Sequence, residues 1–135
     1  MANDRTFVLD TSALLALRGD EAGAAEVERL LREAEREDRP VLLSFMTRME
    51  LLYLIRREEG EEAALDALRL VDALCVEWVS CEDGILEAAA SLKSRRGLSL
   101  ADCWIAATAL VRGAVLVHRD PEYEGLREIR QRRIG

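Results

Sequence analysis

Two kinds of apolar run alternate along the chain. Residues 6–9, Thr6-Phe7-Val8-Leu9, are β-branched and apolar with no helical period; Asp10-Thr11-Ser12 and then Leu14, Leu15 and Leu17 at helical spacing follow. This predicts a buried strand turning at once into a helix. From residue 20 to about 36, Val27, Leu30, Leu31 and Ala34 share one face while Glu26, Arg29, Glu33, Arg36 and Glu37 take the others, as in a solvated cover helix. Arg39-Pro40 breaks that pattern, Val41-Leu42-Leu43 supplies a second strand, and Ser44 can cap a helix from residue 45 to about 57. Beyond Gly60 the pattern gives a helix over 61–74, a strand over Val76–Val79 and a helix over 82–96 ended by Gly97. Ser99 opens a nearly all-apolar helix to 111, which its composition requires to be buried. Val115-Leu116-Val117 is a fourth strand, and 127–131 adds a frayed edge strand.

Strands alternating with helices imply right-handed crossovers and a mostly parallel sheet of four or five strands sandwiched between helices. The expected fold is α/β, one domain over residues 1–135, without repeat or linker.

At 135 residues and 15.1 kDa the chain is long enough for one core, and half its residues are apolar, which excludes a disordered or collagen-like class. The net charge of −7 excludes a general electrostatic grip on nucleic acid or anionic membrane, so a nucleic-acid partner must be held locally. Lys93 is the one lysine beside 18 arginines, which disfavours amine catalysis and favours two-point phosphate contacts. Cys75, Cys81 and Cys103 have neither metal nor disulfide spacing and are expected to pack as small apolar residues in a reducing cytoplasm. The opening MANDRTFVLD lacks a signal-peptide layout, and the longest apolar run, 103–111, is far short of the roughly 20 residues that span a membrane.

In open parallel sheets ligands gather at the carboxyl edge of the strands. Asp10 follows the first strand directly and Asp120 lies three residues past Val117, so both belong at that edge. Glu50 sits within the helix after strand two, with Met46, Tyr53 and Leu54 as helical neighbours; Asp102 lies in the first turn of the buried helix, facing Ile105 and Ala106. Each acid also has a plain structural reading: Asp10 as a helix cap, Asp102 as part of a capping box with Ser99, Asp120-Pro121 as a turn opening, and Glu50 as a solvated helix glutamate. Taken together they describe a convergent acidic pocket. Four carboxylates within a few ångströms cannot all stay ionised without compensating cations, and oxygen-only ligands select Mg²⁺ or Mn²⁺ over zinc. Such ions polarise phosphate and activate water, which points to phosphodiester hydrolysis.

The blocks FVLDTSALLAL, SFMTRMELLYLI, GLSLADCWIAATAL and AVLVHRDPEY together make the chain resemble the PIN-domain proteins, and specifically the VapC toxins of VapBC toxin–antitoxin systems, over essentially its whole length. That resemblance implies that Asp10, Glu50, Asp102 and Asp120 are metal ligands and catalytic residues, that Ser12 helps shape the site, and that the activity is a Mg²⁺- or Mn²⁺-dependent endoribonuclease. It further implies a homodimer neutralised by a VapB-like antitoxin whose inserted arm blocks the acidic groove. Where the family often carries Thr or Ser two residues before the last acid, this chain has His118, which as the sole histidine could carry a proton, donate to phosphate or stand in as a polar substitute.

Phosphate-gripping candidates are Lys93, Arg95 and Arg96 before Gly97, Arg112 and Arg119 near the proposed edge, and the tail arginines 127, 130, 132 and 133; most such residues in any protein are simply solvated. Phe7, Phe45, Trp78 and Trp104 fall in core patterns, leaving Tyr123 as the one aromatic placed to stack on a base. Phosphoaspartate enzymes and receiver domains also end a first strand in Asp, but the first want an acid where Ser12 stands and both want a later lysine that is missing. The remaining alternative is a PIN-like module that binds RNA or protein without cutting it.

Overall fold

A computed structural model describes residues 5–135, so the reading of the extreme amino terminus falls partly outside the described residues. Five strands alternate with six helices: β1 (Phe7–Leu9), α1 (Thr11–Arg18), α2 (Ala24–Glu37), β2 (Val41–Ser44), α3 (Phe45–Glu59), α4 (Glu61–Asp72), β3 (Val76–Val79), α5 (Asp83–Arg95), α6 (Leu100–Arg112), β4 (Val115–His118) and β5 (Arg130–Arg133). The strands form one sheet in the order β3-β2-β1-β4-β5, and every neighbouring pair is parallel. The fold is α/β, a single domain, with no helix among the described residues long and apolar enough to cross a membrane.

Parallel strands covered on both faces should be apolar throughout rather than alternating, and β1, β2 and β4 are, save for Ser44 and His118 at the last positions of β2 and β4. Their successive side chains divide between two cores. Val8, Leu42 and Leu116 point into one, with Ile85, Leu92, Ile105, Ala106, Tyr123 and Leu126. Leu9, Leu43 and Val117 point into the other, with Leu14, Val27, Leu31, Leu51, Ile55 and Leu68. Register is therefore fixed, since sliding any of these strands by one residue would exchange its two faces between the cores. The chain moves outward from β1 through β2 to β3, then returns through α5 and α6 to place β4 on the other side of β1. That reversal opens a crevice at the carboxyl ends of β1 and β4.

Several boundaries differ from the sequence pattern for local reasons. Helix α2 starts at Ala24 rather than near residue 20, because Asp20 and Gly23 both take positive φ in an intervening turn. Gly97 does not cap α5; the helix ends at Arg96 in extended conformation, with its amide bonded to Leu92 O. The edge strand lies at Arg130–Arg133 rather than 127–131, flanked by the buried Ile129 and Ile134, and pairs with β4 from Val115↔Arg130 to His118↔Arg133. Phe7, Phe45, Trp78 and Trp104 are half-buried rather than interior. Trp78 donates from Nε1 to Asp72 at 2.7 Å under the Arg48 guanidinium, and Phe45 meets Trp104 edge-on at 4.9 Å.

Gly23 is required by both backbone and space. Its φ is +96°, and a Cβ there would lie 2.9 Å from Ile134 Cδ1 and 3.1 Å from the Gly135 amide, so the α2 start is moulded around the chain's end. Gly23→Ala should lower stability by about 1–3 kcal/mol, measured as a reduced denaturant midpoint at unchanged slope. Adding Ile134→Val, which removes the Cδ1 contact, should return only part of the loss; full recovery would show that φ carries no strain.

Candidate metal centre

Each acid reaches the crevice from a different element, and ordinary helix-terminus chemistry puts three of them there. Asp10 is the N-cap of α1, with Oδ2 accepting from the Ser12 amide at 3.0 Å and from the Ser12 hydroxyl. Ser12 Oγ in turn accepts the Arg119 amide at 2.9 Å, which ties the β1 exit to the β4 exit. Asp102 sits in the first turn of α6, its amide capped at 3.1 Å by Ser99 Oγ. Asp120 caps a single 3₁₀ turn, Pro121–Tyr123, by accepting the Glu122 amide at 2.9 Å. Glu50 comes from the body of α3 and accepts from the Thr11 hydroxyl at 2.7 Å, while Thr11 Oγ1 lies 3.0 Å from the buried Thr47 Oγ1. The cap readings and the convergent-pocket reading thus describe the same residues.

At the centre is Tyr123, fully buried, whose hydroxyl lies 2.8 Å from Asp10 Oδ1 and 3.0 Å from Asp102 Oδ1. Asp102, Asp120 and Glu122 each present a carboxylate oxygen within 4.8 Å of the others. Arg112, Arg119 and Arg133 pair instead with acids outside the group, Glu77 and Glu82, Glu21, and Glu124.

The electrostatic consequence is a site too rich in negative charge to stay fully ionised. The Asp102 carboxyl is pushed up to about 7, first by burial, then by its hydrogen bond with Glu122 and the Asp10 charge, with Asp120 adding and Tyr123 opposing. Glu50 is also raised, chiefly by burial, with the Thr11 hydrogen bond opposing and the charges of Asp10 and Asp120 adding. Burial and the charges and hydrogen bonds of Asp10 and Asp102 push the Tyr123 phenol far up, so it remains a neutral donor. A hydroxyl has one hydrogen to give. It donates to one aspartate, and a proton on Asp102 completes the second contact. Every ligand atom offered is a carboxylate oxygen, with no nitrogen or sulfur in the group, which suits a hard divalent cation such as Mg²⁺ or Mn²⁺.

The structure therefore brings Asp10, Glu50, Asp102 and Asp120 into one crevice and adds Glu122, which sequence reasoning missed. Its signal was available: Asp120-Pro121-Glu122 places a second acid one short turn after the first. Tyr123 is not the stacking platform expected, because its ring is interior. His118 is likewise fully buried, with Nδ1 accepting the Asp120 amide at 3.1 Å and Nε2 facing Gln131 Oε1 at 2.7 Å. Gln131 Nε2 donates to Tyr123 O and Leu126 O, so its Oε1 must accept and the imidazole hydrogen lies on Nε2. With both nitrogens occupied, His118 braces the loop beyond β4 instead of carrying a proton to substrate.

The arginine candidates are also spoken for. Arg95 and Arg96 both hold Glu128, at 3.0 and 2.8 Å, and Arg96 keeps that carboxyl below its usual range. Arg119 bonds Ala22 O and Glu21. Arg112 pairs with Glu77 and Glu82, and ten residues of helix separate it from Asp102, about 15 Å along the axis, so it belongs to the start of β4 and not to the carboxyl edge. Arg96 lines a hollow of about 330 Å³ beside the site, shared with Gly97, Leu98, Glu122, Gly125 and Leu126.

The model of the PIN domain family matches residues 7–129. Solved structures of similar fold include VapBC2 from Rickettsia felis bound to a promoter DNA fragment, 14% identical with a TM-score of 0.80 over 96% of this chain and 99% of that one. DNA-bound VapBC from Salmonella typhimurium is 19% identical, with a TM-score of 0.76 over 98% of each chain. VapC20 of Mycobacterium tuberculosis, described as a sarcin-ricin loop cleaving toxin, is 21% identical, with a TM-score of 0.68 over 88% of this chain and 93% of that one.

Because folding raises the Asp102 pKa from 3.8 to about 7, the folded metal-free protein binds the extra proton between those values and loses stability as pH rises through that window. Asp102→Asn should therefore raise the metal-free Tm at pH 8 by about 3–6 °C, with the gain shrinking toward pH 5. Calorimetry in EDTA at the two pH values checks this; a lower Tm at both would mean the side chain serves chiefly as structure.

Proposed function

The chain belongs to the PIN domain family, and from that premise we propose that it is a Mg²⁺- or Mn²⁺-dependent endoribonuclease, the toxin of a toxin–antitoxin pair. The observation that carries this reading is the meeting of five carboxylates from four elements in one crevice, with the Asp102 carboxyl near 7 and no cation among the groups that shift it or Glu50. Purely structural acids are placed where they gain stability; these are placed where they repel.

In this proposal Asp10, Glu50, Asp102 and Asp120 hold the divalent ion, with Glu122 adjoining Asp102 and Asp120. A divalent ion in such a setting polarises a phosphodiester and lowers the pKa of attacking water. Asp102 gives up its proton on becoming a ligand, so affinity for the ion rises with pH across neutrality. Thr11 orients Glu50, Ser12 orients Asp10, and Ser99 fixes the first turn that carries Asp102. The description of VapC20 as a toxin that cleaves a defined loop supports a structured RNA substrate here as well.

Partners follow from the same comparisons, which include toxin–antitoxin complexes from several bacteria. Two separate faces expose large apolar side chains: Met49, Tyr53, Leu65 and Leu70 on α3 and α4, and Leu86, Leu100, Leu110 and Val111 on α5 and α6. Exposed apolar surface on two sides supports both a VapB-like antitoxin and a second copy of the chain. Light scattering on the isolated protein should give twice the 15.1 kDa chain mass; a monomer at micromolar concentration removes the dimer.

The activity is tested by incubating the purified chain with structured RNA and Mg²⁺ or Mn²⁺, beside EDTA and Asp10→Asn controls. Cleavage should fall about 100-fold or more in either control, since loss of a ligand exceeds the 10–100-fold typical of its supporting residues. If wild type and Asp10→Asn leave the RNA equally intact across metals and salts, the protein is a binding module without turnover.

A further inference from the structure

We propose that Tyr123 is a positioning residue whose hydroxyl brackets Asp10 and Asp102 at the separation a divalent cation needs. This deepens the metal-site reading and rests on it. The core does not require the hydroxyl. Tyr123 is the largest fully buried side chain, and its ring packs beside His118, centroids 4.9 Å apart, within the apolar cluster of Leu116, Leu126 and Ile129. A phenylalanine would fill that space equally well, yet the polar end is carried inward to two carboxylates of different elements.

Three properties suit the hydroxyl to this task. It is uncharged, as any phenol is near neutral pH, so unlike an arginine in the same place it joins the two acids without cancelling the charge that attracts a cation. It is rigid, because its backbone carbonyl accepts from Gln131 Nε2 at 2.8 Å and its turn is capped by Asp120. It also occupies only part of what the acids offer, since Asp10 Oδ1 and Asp102 Oδ1 each make one contact with it and an oxygen so used keeps a second lone pair. Asp10 and Asp102 come from different elements, the β1–α1 junction and α6, and the Tyr123 hydroxyl reaches both carboxylates.

Calorimetric titration of Mn²⁺ into wild type, Tyr123→Phe and Asp10→Asn separates the possibilities. Tyr123→Phe should keep the far-UV spectrum and bind Mn²⁺ about tenfold more weakly, the usual effect of removing a group that orients a ligand. Its RNA cleavage should recover toward the wild-type kcat when Mn²⁺ is raised, which a packing defect would not allow. Equal Mn²⁺ affinity in wild type and Tyr123→Phe, with binding lost in Asp10→Asn, overturns the bracket and leaves the metal site standing. Unchanged binding in all three overturns the metal site and the bracket with it. Should Tyr123→Phe not fold, Tyr53→Phe leaves Tyr123 as the sole tyrosine, and ultraviolet resonance Raman then reads its hydroxyl directly. A changed hydrogen-bond signature on adding Mn²⁺ supports the bracket, and an unchanged one overturns it.

Discussion

Mutual repulsion among carboxylates, held in check by neutral hydroxyl and amide donors, is the interaction on which this structure turns. Asp10 and Asp102 are 3% and 8% exposed, and bringing their charges together in that environment opposes folding. The fold tolerates them because each is satisfied locally: Ser12 on Asp10, the Tyr123 hydroxyl shared between Asp10 and Asp102, Thr11 on Glu50 and the turn amide on Asp120. None of these donors carries positive charge. A cluster neutralised by arginines would be more comfortable and would offer nothing to a cation.

The rest of the architecture supplies the stiffness this arrangement demands. Two apolar cores clamp a short parallel sheet from both faces, and three of the acids hang from the first turns or caps of elements anchored in those cores. The order β3-β2-β1-β4-β5 places the reversal of chain direction beside β1, so the crevice arises from topology without any special loop. The loop after β4 is braced from within by His118 and Gln131, which converts a long connection into a fixed wall of the site.

Much of this was legible in the sequence because it rests on local rules. The β1–α1 turn at Asp10, the Ser44 and Ser99 caps and the β3 limits follow from strand composition and capping chemistry, and the acid positions follow from the carboxyl-edge rule. What escaped depends on tertiary neighbours. Nothing in the spacing says that Arg95 and Arg96 meet Glu128, that His118 finds Gln131, or that the Tyr123 hydroxyl points inward. The edge strand was misplaced because RQRR has no apolar signal of its own; its strand character comes from pairing with β4 and from Ile129 and Ile134 turning inward at its ends.

The central strand has its two neighbours at very different distances in sequence. Leu9 pairs beside Val117, and Ser12 holds the amide of Arg119, 107 positions away. Closing so long a loop is slow and must await synthesis of the segment after β4. A chain still emerging from the ribosome therefore has Asp10 and Glu50 but no wall bearing Asp120 and Tyr123, and the acidic crevice stays unfinished until that wall is made. Under the nuclease function proposed above, that delay keeps an incomplete site beside the machinery translating it.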